Sequence, residues 1–203
     1  MRRFDPTEGP RAGIYRHYRG YAFPQFTLVT RIRVDVARLK AEGGLFPNLL
    51  WGVMEAAQAV PELRQRIRVD EGRDVVVEHE VVDCTVTAAK ADDSFQFCFV
   101  PRDADRERFV AELPERLASS ASSVGLDLAE QRRDDMLYLS SVPWFDVVGV
   151  NHAMSGDPTE CIPRVLWGRV VDGEVGMALT AHHSLVDGRH MARFFDGLQE
   201  RVG

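Results

Sequence analysis

The chain is short of most residue patterns that declare a function cheaply. It has three cysteines, Cys84, Cys98 and Cys161, far apart and without a C-x-x-C pair, which argues against a disulfide framework or a zinc ribbon and leaves buried free thiols as the expectation. Lysine is nearly absent, two residues against 23 arginines, a bias consistent with a GC-rich genome and silent on chemistry. Those arginines are scattered singly among acids, and the net charge is -6, so the basic face or run that nucleic acid requires is missing. No run of about 18 apolar residues exists to span a membrane. The start, "MRRFDPTEGPR", is charged but lacks the apolar stretch and small-residue cleavage site of a secretory signal, so the expected location is cytoplasmic. Internal repeats and low-complexity segments are absent too.

What is present describes one globular domain over residues 1–203, 45% hydrophobic and long enough to bury a substantial core. "FTLVTRIRVDV" (26–36) alternates Phe26, Leu28, Ile32, Val34 and Val36, interrupted by Thr30, against Thr27, Arg31, Arg33 and Asp35, a half-buried strand. "PNLLWGVMEAAQAV" (47–60) spaces its apolar residues three and four apart behind a proline suited to a first helical position. "DVVVEHEVVD" and "SFQFCFV" are β-rich. The next segment, "DADRERFVAELPERLASSA", predicts a helix that Pro114 should kink or divide. "MLYLSSVPWF" reads as a strand, and "VLWGRVVDGEVGMALTAHH" as a hairpin turning at Asp172-Gly173. A last helix runs from about Asp187, its buried stripe Met191, Phe194, Phe195 and Leu198. Without strict βαβ alternation, these elements indicate an α+β fold, a mixed or antiparallel sheet covered by helices.

Of six histidines, three stand in "HHSLVDGRH" (182–190). Adjacent residues of a strand point to opposite faces, so His182 and His183 cannot easily converge on one metal ion, and no cysteine or carboxylate stands nearby at a ligand spacing. A structural reading makes the segment a strand end, a turn, and a helix capped by Asp187 with Gly188 easing the entry. A catalytic reading adds one imidazole exposed at the sheet edge, where a side chain of pKa about 6.5 can take a proton from a hydroxyl near neutral pH.

The H-H-x-x-x-D-G-x-H pattern resembles the active-site signature of chloramphenicol acetyltransferases. Its first seven positions are similar also to the signatures of dihydrolipoyl acyltransferase catalytic domains and peptide-synthetase condensation domains. The helix "HMARFFDGLQE", the strand "LYLSSVPWF" and the stretch "IYRHYRGYAFPQFTL" look like the corresponding segments of the first family, and the likeness runs from about residue 4 to the end. It implies a homotrimer of that fold with its active sites between subunits, in which acetyl-CoA is the acyl donor, no metal takes part, and chloramphenicol is the default acceptor with a resistance role. Another alcohol or amine, acylated from coenzyme A or a carrier-protein thioester, fits the same residues, and a non-catalytic trimer that binds a small molecule is the rival of a different class.

By that resemblance His183 is the general base, Ser140 faces the tetrahedral oxyanion, and Asp187 makes a buried salt bridge to Arg11 that holds the base's loop. Tyr15 and Phe26 line the acceptor pocket, and Trp144 and Arg169 lie near the coenzyme. This sequence departs from the family at Arg189 (an aromatic there), Thr180 (a glutamine or similar), Gly9 (a tryptophan) and Leu166 (a threonine), which puts the acceptor pocket in question more than the base.

Overall fold

The Asp172-Gly173 turn joins the two strands that carry the histidine pair to the sheet edge. In the computed structural model, which describes residues 1–123 and 133–203, β8 (Arg164–Val171) reverses into β9 (Glu174–His182) through Asp172 at φ 50° and Gly173 at φ 77°. A two-residue hairpin turn of type I′ demands left-handed values at both positions. The other elements, in chain order, are β1 (Arg2–Phe4), α1 (Ala12–Arg19), β2 (Gln25–Arg33), α2 (Val36–Ala41), α3 (Leu45–Gln58), a 3-10 turn (Pro61–Arg64), β3 (Gln65–Asp70), β4 (Arg73–Glu78), β5 (Asp83–Ala89), β6 (Phe95–Val100), α4 (Arg106–Ala121), β7 (Met136–Ser141) and α5 (Gly188–Val202).

Six strands form one sheet in the order β2-β9-β8-β7-β5-β6. The β5–β7 and β7–β8 neighbours are parallel and the others antiparallel. A smaller antiparallel sheet, β1-β4-β3, stands beside it. The α+β architecture is therefore present, with a second sheet that the sequence pattern did not announce. Helices α3, α4 and α5 pack together on one face of the large sheet. The α5 stripe of Met191, Phe194, Leu198 and Val202 is fully buried there, each residue contributing about 1.5–3 kcal/mol relative to exposure. Phe195, expected in that stripe, is only half-buried. All three cysteines are buried free thiols.

One expectation is corrected. Helix α4 runs unbroken from Arg106 to Ala121 with Pro114 inside it. Pro114 lies on the exposed side of the helix, so the hydrogen bond it cannot donate is lost where water is at hand.

The opposite face of the large sheet is crossed by the segment after β7. Val142 N–H donates to the Trp167 carbonyl (2.9 Å) and Arg169 N–H to the Phe145 carbonyl (2.7 Å). The crossing is so close that a Cβ on Gly176 would lie 1.9 Å from the Val147 carbonyl oxygen, and only glycine permits that approach. Trp144, Phe145 and Val148 are left projecting outward. No helix among the described residues is long and apolar enough to cross a membrane.

Candidate active site

The chain turns immediately after β9. Leu185 and Val186 N–H both return to the His182 carbonyl (3.0 Å each), and Asp187 caps α5 by accepting from Arg189 N–H at 3.0 Å. The turn leaves His183 half-buried at the sheet edge, its N–H donating to the Pro24 carbonyl (2.8 Å). Its Nδ1 lies 3.1 Å from the Val186 carbonyl oxygen. A carbonyl only accepts, so Nδ1 carries the hydrogen and Nε2 keeps its lone pair. The imidazole stacks on Tyr18 (centroids 3.8 Å apart, 7° between planes) and on Phe26 (4.1 Å, 22°). Two rings that close and that nearly parallel cannot share one face, so they clamp the imidazole from both sides.

Phe26 thus touches the His183 ring itself. Tyr15 does not: it is buried, and its hydroxyl donates to Asp74 Oδ2 (2.7 Å), which Arg19 also holds (2.8 Å). The tyrosine beside His183 is Tyr18, one helical turn further along α1.

Arg11 Nη1 and Asp187 Oδ2 are 2.5 Å apart, bridging the N-terminal segment to the loop that carries His183. About a third of each side chain (33% and 29%) is exposed in the single chain. Burial pushes the Asp187 pKa up, but the Arg11 hydrogen bond and the charges of His190 and Arg11 outweigh it and hold the group below its usual value. Because the pair is partly solvated, the cost of breaking a fully buried one does not apply.

The other two histidines of the signature are structural. His182 is buried, accepts from Ser184 N–H at Nδ1 (3.2 Å) and donates from Nε2 to the Pro158 carbonyl (3.1 Å). His190 accepts the Asp187 N–H at Nδ1 (3.0 Å), completing a capping box, and its Nε2 lies 3.4 Å from Glu62. Each imidazole is claimed separately, and among the described residues no three metal-ligating side chains converge.

Burial, above all, pushes the His182 pKa down to about 4. The unfolded imidazole titrates near 6.5. With the folded value depressed, the stabilisation is complete above pH 6.5 and is lost as the pH falls through 4. We therefore expect urea midpoints of the native protein to fall between pH 6.5 and 4, and His182→Gln to flatten that part of the profile. Equal slopes in the two proteins would show that another group governs it.

Ser140 is half-buried on β7, level with Leu166 of β8 and through it with Ala178 of β9. It lines a cavity of about 300 Å³ with Thr85, Phe97, Tyr138, His152 and Arg164. His183 lies two strands away and five residues further along β9's direction, about 10 Å across and about 16 Å along from strand geometry. The structure does not bring the two together within one chain. Trp144 and Arg169 are both exposed, and Arg169 N–H bonds to the carbonyl of Phe145, the residue after Trp144.

The departures from the family pattern have definite places. Thr180 is buried and bonded to Thr27 Oγ1 (2.6 Å) and His152 Nδ1 (2.9 Å). Leu166 is half-buried beside Ser140, Arg189 is exposed, and Gly9 adopts φ 79° in the turn before α1. Neither Tyr18 nor His152 stood out in the sequence. A lone histidine in an irregular loop carries no periodic signal.

A family model described as chloramphenicol acetyltransferase matches residues 3–199. A chloramphenicol acetyltransferase of Campylobacter coli is 23% identical over 203 residues, covering 98% of this chain and 96% of the relative. Among solved structures, one named chloramphenicol acetyltransferase superposes with a TM-score of 0.83 at 22% identity, covering 98% of both chains. A probable dihydrolipoamide acetyltransferase from Listeria monocytogenes superposes at 0.67 and 15% identity over 96% of this chain and 92% of its own.

Proposed function

The chain belongs to the chloramphenicol acetyltransferase family, a family of acyltransferases, and on that footing we propose that it transfers the acetyl group of acetyl-CoA to a hydroxyl of a small acceptor, with His183 as the base. The observation that carries this reading is the imidazole clamped between Tyr18 and Phe26 with Nδ1 on a carbonyl and Nε2 free. Nε2 takes the hydroxyl proton as the acceptor oxygen attacks the thioester carbonyl. The tetrahedral adduct collapses, the C–S bond breaks, and the same nitrogen returns the proton to the departing thiolate.

Ser140 supplies a hydroxyl to the oxyanion, and since it stands far from His183 within one chain, the two meet in this reading from different copies. Assembly as a homotrimer meets that need. It is supported by apolar groups left exposed in the single chain, Phe23, Trp144, Phe145 and Val148 among them, and by the nine-residue edge strand β2, where Leu28 and Val29 are solvent-exposed. Trp144 and Arg169 present an indole face and a cation to the coenzyme's adenine and phosphates. Arg11 and Asp187 hold the loop and touch no substrate.

The test is thiol release from acetyl-CoA with and without chloramphenicol. Acceptor-dependent release supports the reaction and the default acceptor. Absence of release with chloramphenicol and with a panel of other alcohols and amines would overturn the reading.

A further inference from the structure

We propose that Asp74 is a positioning residue for the base, fixing the rotation of α1 and so the place of the Tyr18 ring that lies flat against His183. This rests on the acyl-transfer reading, which makes that imidazole the base.

Helix α1 has little of its own to hold it. Its eight residues are fewer than an isolated helix needs in water. Its N-cap, Arg11, makes no side-chain capping bond, and only Ala12 and Tyr15 are buried. The first turn is tied to the signature loop by the Arg11–Asp187 pair. The last turn, which carries Tyr18, is tied by Asp74. That carboxylate accepts from Tyr15 Oη (2.7 Å) and Arg19 Nε (2.8 Å) on Oδ2, and from Arg19 Nη2 (3.2 Å) on Oδ1. Residues four apart share one side of a helix, so a single side chain grips α1 over a full turn and sets its rotation. Burial and the neighbouring carboxylate push the Tyr15 pKa up, which keeps its hydroxyl a donor.

The anchor belongs to a fixed part of the fold. Asp74 lies on β4, the central strand of the small sheet, opposite Val69 of β3, and the Asp74 and Arg19 side chains are each about four-fifths buried. His17 and Tyr21, the other rings against Tyr18, belong to α1 and the turn after it and travel with the helix. The loop that presents His183 meets α1 a second time, because Ser184 Oγ donates to the Tyr15 carbonyl (3.3 Å). The charges of Arg19 and Asp74 oppose each other at the adjacent His182, so what the pair brings to the sheet edge is geometry. Displacing a positioned catalytic group by about 1 Å can cost about 100-fold in rate.

The test removes the tether without stranding a buried charge or hydroxyl, by making Asp74→Leu, Arg19→Met and Tyr15→Phe together, since replacing a buried ion pair by apolar groups is often neutral for stability. Asp74→Asn, which keeps an acceptor for Tyr15 but not the charge that holds Arg19, gives the same readings on a smaller scale should the triple variant fail to fold. The first readout is the His183 ring-proton resonances of isotope-labelled full chain without substrates, identified by their loss in His183→Ala. The two flanking ring faces hold them upfield in the native protein, and the triple variant should move them downfield. With acetyl-CoA and chloramphenicol, kcat should fall about 10- to 100-fold while the KM for acetyl-CoA changes by less than about twofold. Tyr18→Leu should give a similar fall and add little to the triple variant, because both act through one stack. Unmoved His183 resonances, a native kcat in the triple variant, or losses that add in full overturn the proposal. Resonances that move as expected in a protein without acetyl transfer would instead sink the acyltransferase reading and leave Asp74 as the residue that places the ring.

Discussion

His183→Ala is expected to lower kcat/KM for acetyl transfer by about 100- to 10,000-fold, the contribution of a general base, while the melting temperature stays within a few degrees of the native value. The side chain is half-buried, and among the described residues its hydrogen bond is to its own loop. The turn is otherwise fixed by backbone bonds to Pro24 and His182 and by the Asp187 cap, none of which alanine disturbs. Thiol-release kinetics and thermal unfolding, measured on the same preparations, separate loss of the base from loss of the fold. A variant retaining more than about a tenth of the native rate would remove His183 from the chemistry.

The largest stability effect is expected at Arg66. Its guanidinium is 1% exposed and donates to four backbone carbonyls, from Nε to Asp134 (2.5 Å), from Nη1 to Leu63 (3.0 Å) and Gln65 (2.6 Å), and from Nη2 to Met136 (2.6 Å). These bonds fasten the small sheet and the 3-10 turn to the start of β7, the strand that carries Ser140. Arg66→Met fills the space and leaves all four carbonyls without their donor, at a cost of about 3–5 kcal/mol. For a chain of this size that lowers the melting temperature by about 10 °C. Arg66→Lys recovers only part of it, because a single ammonium cannot spread donors over the same span. Thermal unfolding of the two variants checks this, and a shift of less than about 2 °C in Arg66→Met would show that the carbonyls find other partners.

The same arginine shows why part of the fold was hidden in the sequence. β3 is "QRIRVD", whose alternation suggests an exposed charged ribbon, yet Arg66 is one of its most deeply buried residues. Burial there depends on carbonyls up to 70 residues away, which no local pattern reports. By contrast the Asp172-Gly173 turn and the Asp187-capped α5 were legible because their determinants are adjacent residues with conformational demands of their own. Pro114 misled because a proline's effect depends on whether the freed carbonyl meets water.

The site divides in the same way. The loop that presents His183 is written in nine consecutive residues, and its link to Arg11 followed from a family resemblance rather than from spacing within the loop. Tyr18 did not stand out because α1 is too short to establish which side faces the sheet. Asp74 becomes visible only when β4 and α1 are assembled. Its contacts are tertiary, and one sequence without its fold could not display them.

The account stands on His183 and Ser140 meeting from different copies of the chain, and co-expression of His183→Ala with Ser140→Ala tests that most directly. Each variant alone should be nearly inactive. In a randomly mixed cyclic trimer, about a quarter of the sites join an intact His183 from one copy to an intact Ser140 from its neighbour, so the mixture should recover roughly that fraction of native acetyl transfer. A mixture no more active than its separate components, in assemblies shown to contain both chains, would contradict the account.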